Sequence, residues 1–295
     1  MLYRALPEFE YFEPADLKEA GELLASASRP AVMAGGISLL DAMKRGMAEP
    51  PETVVSLKRI PGLRYIDGDR AHGLKLGPLT TIRDAELSAV VKQDFPLLHD
   101  ALSNIHSVQV KTMGTVIGNV CVGTPASDIL TALIALDGAL RPAGSNGNGA
   151  IPAESLCTAA KRTCLTPTDV VEALEIPAQP AGAVGAYINL TRTLPDIAKL
   201  TAAVNLVVDG GLVQSARIAI GAVAPVIIRA RAAEDALVGK ALDASTVRAA
   251  AAAAAADPQV KPITDMRSTA EYRRQMVEVL VRRALEAVAI KAAGA

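Results

Sequence analysis

Apolar and polar positions along this chain follow two periods in turn. Leu17, Ala20, Leu23 and Leu24 recur at helical spacing behind Pro14-Ala15-Asp16, which predicts a short strand and then a helix within the first 30 residues. Pro30-Ala31-Val32-Met33-Ala34 is a compact apolar run ending in Gly35-Gly36, and it predicts a buried strand entering a tight loop. Leu39, Leu40, Ala42, Met43 and Lys44 then predict a helix. Strands are predicted over 53–57 and 74–77, and helices over 82–92, 99–107 and 128–136. A glycine-containing loop is predicted from Gly114, and Arg141 to Gly149 is a turn-rich loop or hairpin.

Strands alternating with helices up to about residue 140 argue for α/β units. No G-x-G-x-x-G follows any strand, so this is not a plain dinucleotide fold. Pro177-Ala178-Gln179-Pro180-Ala181-Gly182 is a linker of small residues and prolines. Beyond it the pattern changes: 200–208 and 212–221 are β-rich runs around the hairpin signal Asp209-Gly210-Gly211, and from Arg229 onward the pattern is helical. The chain therefore divides into an α/β portion, residues 1–177, and an α+β portion, residues 183–288, with no internal repeat.

Composition narrows the function. The 295 residues are 51% hydrophobic, with 30 basic and 31 acidic side chains, as in an ordinary globular protein. A net charge of −1, 3% aromatic residues and no Trp give no basis for nucleic-acid binding. No window is apolar enough to span a bilayer, the Ala-rich stretch at 249–256 included. The acidic, proline-containing N-terminus is unlike an export signal, and Cys121, Cys157 and Cys164 form no disulfide framework; a cytoplasmic location is expected.

Two loops carry candidate chemistry. In Ala34-Gly35-Gly36-Ile37-Ser38-Leu39 a strand ends, two glycines let the backbone approach a ligand, and a helix begins whose free amides and dipole suit a pyrophosphate. Ser38 is a candidate helix cap or phosphate donor. In Gly114-Thr115-Val116-Ile117-Gly118-Asn119 small and hydroxyl residues again leave amides exposed, and Asn119 offers both donor and acceptor. Asp128 either caps its helix or accepts from a ligand hydroxyl. Each loop alone is equally a ligand-free turn; two of them favour a ligand with two phosphates. His72, His99 and His106 lie apart, no Ser sits in a G-x-S-x-G turn, and Arg217, Arg229 and Arg231 read as solvated or interface charges. No catalytic side chain and no metal site is assigned, so any redox chemistry falls to a cofactor.

These residues resemble a known family. Ala34 to Lys44 is similar to the AGG-x-S-L-x-x-x-M-K segment of the flavoprotein subunits of molybdenum hydroxylases, which include the carbon monoxide dehydrogenase medium subunit and the middle part of xanthine dehydrogenase. Gln109 to Asn119 resembles the family's Q-I-R-N-x-G-T-I-G-G-N, and Pro125 to Asp128 leading into Leu133 to Asp137 matches as well. Ala186-Tyr187, Asp196 to Lys199, Ala216 to Gly221 and Leu280 to Ala284 resemble the family's second domain.

The resemblance implies an α+β fold: a two-part FAD-binding domain of the vanillyl-alcohol-oxidase (PCMH) type, then a C-terminal domain of antiparallel sheet and helices, of the carbon monoxide dehydrogenase flavoprotein type. It implies FAD held by Ala34 to Leu39, Gly114 to Asn119 and Asp128, with Leu174 against the isoalloxazine ring. It implies a large molybdopterin subunit and a small subunit with two [2Fe–2S] clusters as partners, in a dimer of heterotrimers. This chain would then pass electrons from the clusters through FAD to an external acceptor. A free-standing FAD-dependent oxidoreductase and a flavin-free scaffold subunit are the alternatives.

The chain departs from the family pattern at Ile117, where the first glycine of a pair is usual; a β-branched residue there disfavours positive φ and crowds the phosphates, so Ile117→Gly is expected to tighten flavin binding. Lys111 replaces the usual Arg, and Ile188 stands where xanthine dehydrogenase-like members carry a lysine. A cysteine near position 121 helps hold an extra iron–sulfur cluster in 4-hydroxybenzoyl-CoA reductase-like members, but such a cluster needs four thiolates and this chain has three.

Overall fold

A computed structural model describes residues 4–46, 49–143 and 149–293 of the chain. The first unit is β1 (Glu10–Phe12), α1 (Leu17–Ser26), β2 (Pro30–Met33), α2 (Ile37–Lys44) and β3 (Thr53–Ser56). Its three strands form a parallel sheet in the order β1-β3-β2. Asp16 caps α1 by accepting from the Glu19 amide. Ala20 and Leu24 on that helix are buried together with Val55 and Leu57.

The second unit begins with β4 (Ile66–Asp69) and β5 (Gly73–Leu76). Six short helices follow: α3 (Ile82–Leu87), α4 (Ala89–Asp94), α5 (Pro96–Ser103), α6 (Val108–Met113), α7 (Val116–Cys121) and α8 (Asp128–Ala135). Next come β6 (Ala139–Pro142), β7 (Ile151–Pro152), α9 (Ala153–Leu156), the small hairpin β8 (Cys157–Ala159) and β9 (Arg162–Thr163), and β10 (Val171–Ile176). β4-β5-β10-β6-β7 make an antiparallel sheet whose inner face packs on α5, α7 and α8, with Leu76, Leu98, Val120, Leu133 and Leu174 fully buried between them.

Several boundaries differ from the sequence reading for local reasons. The helix expected over 82–92 is two helices, because the Ser88 side chain accepts from the Val91 amide and starts a new helix at that point. The helix expected over 99–107 begins earlier, at Pro96, whose fixed φ suits a first helical position, and stops at Ser103. Ser107, at φ 90, then caps α6, a helix that the sequence pattern does not predict. The loop expected from Gly114 holds a further short helix, α7, capped by Thr115. Arg141 and Pro142 of the turn-rich stretch belong to β6, and the centre of that stretch, 144–148, lies outside the described residues.

The third unit has β11 (Ala183–Leu190), β12 (Leu200–Asp209), β13 (Leu212–Gly221) and β14 (Ile228–Arg229) in one antiparallel sheet, then α10 (Arg231–Asp235), α11 (Ala244–Ala255) and α12 (Ala270–Ala293). The hairpin signal at Asp209-Gly210-Gly211 turns β12 into β13 as expected. One face of this sheet is covered by α10, α11 and α12, burying Val204, Ile218, Val281 and Leu285. The other face packs on α5 and α8 through Ala203, Ala219 and Tyr187, which join the core of the second unit. The two halves are therefore in continuous apolar contact. Among the described residues no helix is long and apolar enough to cross a membrane.

Candidate functional site: a glycine-walled cleft between the first and second units

β2 delivers the chain to Ala34 and Gly35, and α2 starts directly after Gly36. Gly36 is the N-cap of α2 at φ +82, a conformation that L side chains rarely adopt, and it supplies no side-chain cap. Leu40 donates to the Gly36 carbonyl at 3.0 Å, so the first-turn amides of Ile37, Ser38 and Leu39 precede the helix ladder, no side chain of the N-cap meets them, and all three residues line the cleft. Ser38 is not a cap: Gly36 holds that position, and Ser38, one residue into the helix, is exposed at the cleft.

The opposite wall is the α6–α7 junction. Gly35 lies so close that a Cβ added there would sit 2.0 Å from the Met113 carbonyl oxygen and 3.1 Å from the Gly114 Cα. The two predicted loops thus touch backbone to backbone, which only glycine allows. On this side the amides are partly used. Thr115 Oγ1 accepts from the Gly118 amide at 3.0 Å, and the Val116 amide donates to the Thr80 carbonyl at 3.0 Å. The expectation of freely exposed amides holds for the first loop and only in part for the second, because a capped helix consumes its own donors.

Two cavities flank this waist. One, of about 460 Å³, is lined by residues 30–39, by Gly114, Thr115, Ile117, Gly118 and Asn119, and by the 163–171 segment. The other, of about 470 Å³, is bounded by Ala34, Gly35 and Thr115 on one side and by Lys58, Arg64 and Thr112 on the other. Both lie in the size range of small-molecule sites. Arg64 is held by a two-pronged bond to Asp84, at 2.8 and 2.6 Å.

Ile117 is not strained. It is helical, absent from the positive-φ positions, 4% exposed, and packed in the core beneath the cleft. The expected conflict with positive φ does not arise, because Thr115 starts a helix where a glycine-rich turn was anticipated. Val116 is fully buried. Lys111, 5% exposed, faces away from the cleft and pairs with Glu86 at 2.6 Å. Burial works to raise the Glu86 pKa, but Lys111 and Arg83 outweigh it and hold the carboxyl below its usual range.

Asn119 accepts from Ser127 Oγ at 3.0 Å, which ties the cleft to the start of α8. Ser127, not Asp128, caps that helix, accepting from the Leu130 amide at 3.1 Å. Asp128 accepts instead from the Tyr187 hydroxyl across the boundary with the C-terminal sheet. Burial raises the Asp128 pKa against the opposing effect of that bond; burial, then the nearby Asp128 charge, raises Tyr187 well above 10.0. Asp128 lines neither cavity. Leu174 also lines neither cavity: it is fully buried in the sheet, paired with Leu76 and Leu140. Val171, at the start of the same strand, does line it.

Sequence reasoning missed the 163–169 wall. Its signal was the hydroxyl- and proline-rich run Thr163-Cys164-Leu165-Thr166-Pro167-Thr168-Asp169 ahead of a strand, folded on itself where Asp169 accepts from the Thr166 amide at 2.7 Å. Cys121 also lines the cleft, and burial pushes its thiol up to about 12, so it stays a neutral apolar lining group. The three cysteines are free thiols.

The cleft suits an elongated ligand with a diphosphate at its middle: a bare helix start on one wall, a capped helix start on the other, and room at either end. Residues 7–179 match the model of the FAD binding domain in molybdopterin dehydrogenase, and residues 185–288 match the CO dehydrogenase flavoprotein C-terminal domain. The chain is 34% identical to the carbon monoxide dehydrogenase medium chain of Hydrogenophaga pseudoflava over 282 residues, covering 95% of this chain and 97% of that one. It is 30% identical to the nicotine 6-hydroxylase medium subunit of Paenarthrobacter nicotinovorans, covering 95% and 97%. The fold superposes on Hydrogenophaga pseudoflava carbon monoxide dehydrogenase with a TM-score of 0.91 at 36% identity, covering 97% of this chain and 98% of that one. It superposes on quinoline 2-oxidoreductase of Pseudomonas putida 86 with a TM-score of 0.90 at 27% identity, covering 98% and 99%.

Proposed function

Because the chain belongs to the family of FAD-binding flavoprotein subunits of molybdopterin dehydrogenases, we propose that its two glycine-bearing loops form the FAD cradle and that it serves as the electron-transfer subunit of a molybdenum hydroxylase. One observation carries the site assignment: the uncapped first turn of α2 faces the Thr115 helix start across a waist closed by Gly35. Ile37, Ser38 and Leu39 present amides to the diphosphate, and the α2 dipole adds to their attraction for negative charge. On the far wall Gly114 to Asn119 supply shape more than donors, with Asn119 oriented by Ser127. Asp128 and Tyr187 act one step behind, fixing α8 against the C-terminal sheet.

When bound, FAD supplies a centre that takes up electrons singly or in pairs. The chain's own residues hold and orient it. By analogy with relatives named as medium chains and subunits, the chain assembles with a large molybdopterin subunit and a small [2Fe–2S] subunit in a dimer of heterotrimers in the cytoplasm. The division into FAD-binding residues 1–177 and C-terminal residues 183–288 is part of this reading. The flavin-free alternative rested on Ile117, which is helical and largely buried while it lines a cavity of about 460 Å³, and that supports the flavin-bearing reading.

The flavin absorption spectrum of the purified chain, before and after reconstitution with FAD, tests the cradle. Bound flavin is expected, and none after reconstitution overturns the reading. Co-purification with a molybdopterin-bearing subunit tests the assembly; a chain that reduces an acceptor by itself with an organic substrate would make it free-standing.

A further inference from the structure

The chain has five tyrosines and three phenylalanines, and four of these eight (Tyr3, Phe9, Tyr11 and Phe12) fall in the first twelve residues. Elsewhere Phe95 and Tyr187 are buried and Tyr65 is half-buried, while Tyr272 on α12 is exposed. Around β1 the opposite holds. All three residues of the strand are exposed, Tyr11 at 46% and Phe12 at 37%, and Leu6 nearby is 39% exposed. Successive strand residues point to opposite faces, so both faces of β1 are uncovered.

β1 is also an edge. Among the described residues it pairs only with β3, in parallel, and the Glu10 amide donates to the Glu52 carbonyl at 2.8 Å. In a parallel ladder alternate residues turn their amide and carbonyl to opposite sides. Glu10 and Phe12 therefore face β3, and Tyr11 directs its own pair outward, at the open edge. Open edges invite pairing with another strand, and native chains usually blunt them by keeping them very short or with charged residues, proline or a covering loop. This one is three residues long and flanked by prolines, but carries aromatic residues at its centre. Its charge is one-sided: Glu8, Glu10, Glu13 and Asp16 stand against Arg4, with Arg59 of the neighbouring loop spent on Glu13 at 2.9 Å.

We propose that the outer edge of β1 is a docking strand for an extended, lysine- or arginine-bearing segment of a partner subunit, which adds to the parallel sheet through the Tyr11 amide and carbonyl. Aromatic side chains are enriched at protein interfaces and carry much of their binding energy, so Tyr11 and Phe12 are the anchors on the two faces. The acidic flank selects a basic partner, and its contribution weakens with salt. The proposal rests on the reading that the chain works inside a multi-subunit complex.

Hydrogen–deuterium exchange on the isolated chain and on the co-expressed complex, with two variants, tests it. Amides of residues 9–13 are expected to exchange markedly more slowly in the complex than in the isolated chain. Tyr11→Pro removes the outward amide and the Tyr11 anchor together and leaves the β1–β3 ladder intact, as proline is tolerated on such edges. It is expected to weaken association with the co-expressed subunits about tenfold or more, with the FAD content of the chain unchanged. The double variant Glu8→Lys, Glu10→Lys is expected to weaken association most at low salt. The proposal is overturned if the complex forms but residues 9–13 exchange equally in both states and Tyr11→Pro assembles like the wild type. Protection that appears in the isolated chain as its concentration rises would assign the edge to a second copy and overturn it too. A wild-type chain that assembles with no subunit at all would instead sink the parent reading, and this proposal with it.

Discussion

Gly35→Ala tests whether the two loops really meet. The added Cβ would lie 2.0 Å from the Met113 carbonyl oxygen and 2.9 Å from the Met113 carbonyl carbon, both backbone atoms with no rotamer to escape into. An ordinary carbon–oxygen contact is about 3.3 Å, so the walls must part by roughly 1.3 Å. Forcing backbone apart in this way costs about 2–3 kcal/mol. For a chain of this size that lowers Tm by roughly 4–6 °C. The same opening carries the α2 amides away from the opposite wall, and FAD affinity is expected to fall about tenfold, or ~1.4 kcal/mol. Gly36→Ala is the control. Its nearest neighbour is the Met33 sulfur at 3.3 Å, on a flexible side chain, so the cost is that of φ +82 alone, about 1–2 kcal/mol. Thermal melts of the apo chain and a flavin-fluorescence titration measure both quantities. If Gly35→Ala keeps its Tm and FAD affinity within error, or proves milder than Gly36→Ala, the backbone contact is not what closes the waist.

Three further outcomes follow from the same geometry. Ile117→Gly removes a buried side chain from a helix and is expected to cost about 3–5 kcal/mol in chemical denaturation, with no gain in FAD affinity; tighter binding at unchanged stability would restore the crowding idea. Lys111→Ala strips the partner from Glu86 and is expected to cost about 2–3 kcal/mol, less than a fully orphaned ion because Arg83 also holds that carboxylate at 2.7 Å; a loss of FAD without loss of stability would instead place Lys111 in the site. Asp128 has a raised pKa in the fold, so its protonated form is favoured there and its contribution is lost as pH rises from the ordinary carboxylate range through the folded value. Asp128→Asn is therefore expected to flatten that part of the stability–pH curve and to be no less stable than the wild type at pH ~7, as melts across that range will read.

The fold was legible wherever a local pattern also decided the packing. Pro30 to Gly36 read as strand then tight loop because an apolar run and two glycines leave few other conformations, and Asp209-Gly210-Gly211 read as a hairpin because that turn chemistry is specific. Short capped helices were harder. Ser88, Ser107 and Thr115 each start a helix by accepting an amide three residues on, and an isolated Ser or Thr in a loop-like stretch gives no sign that it will do so. Within the site, the first loop was read down to its backbone logic. Asp128 read as a cap or a ligand acceptor from its position before a helical run, and Leu174 was placed at the ligand on resemblance alone. Their actual neighbours, Tyr187 and the pair Leu76 and Leu140, lie far away along the chain and are brought there only by the tertiary fold. The 163–169 wall was missed because its role comes from facing α7 across the cleft, and no sequence period encodes that.

The Pro177 to Gly182 connection has a consequence for how such proteins are recombined. It reads as a linker, yet it is pinned: Arg70 donates to the carbonyls of Pro180 at 3.1 Å and Ala183 at 2.9 Å, and the Gln179 amide returns a bond to Arg70 at 2.9 Å. Farther along, Arg217 grips Asp137 with two bonds of 2.7 Å, Thr131 meets Thr201 at 3.0 Å, and the Ala222 amide reaches Pro125 at 2.7 Å. A chimaera spliced at this point between two relatives would keep the backbone bonds but lose the side-chain pairs, Arg217 with Asp137 and Thr131 with Thr201, unless both parents carry them. The halves are thus coupled at their seam, and exchanging the second half whole requires re-matching those side-chain pairs as well as the apolar contact.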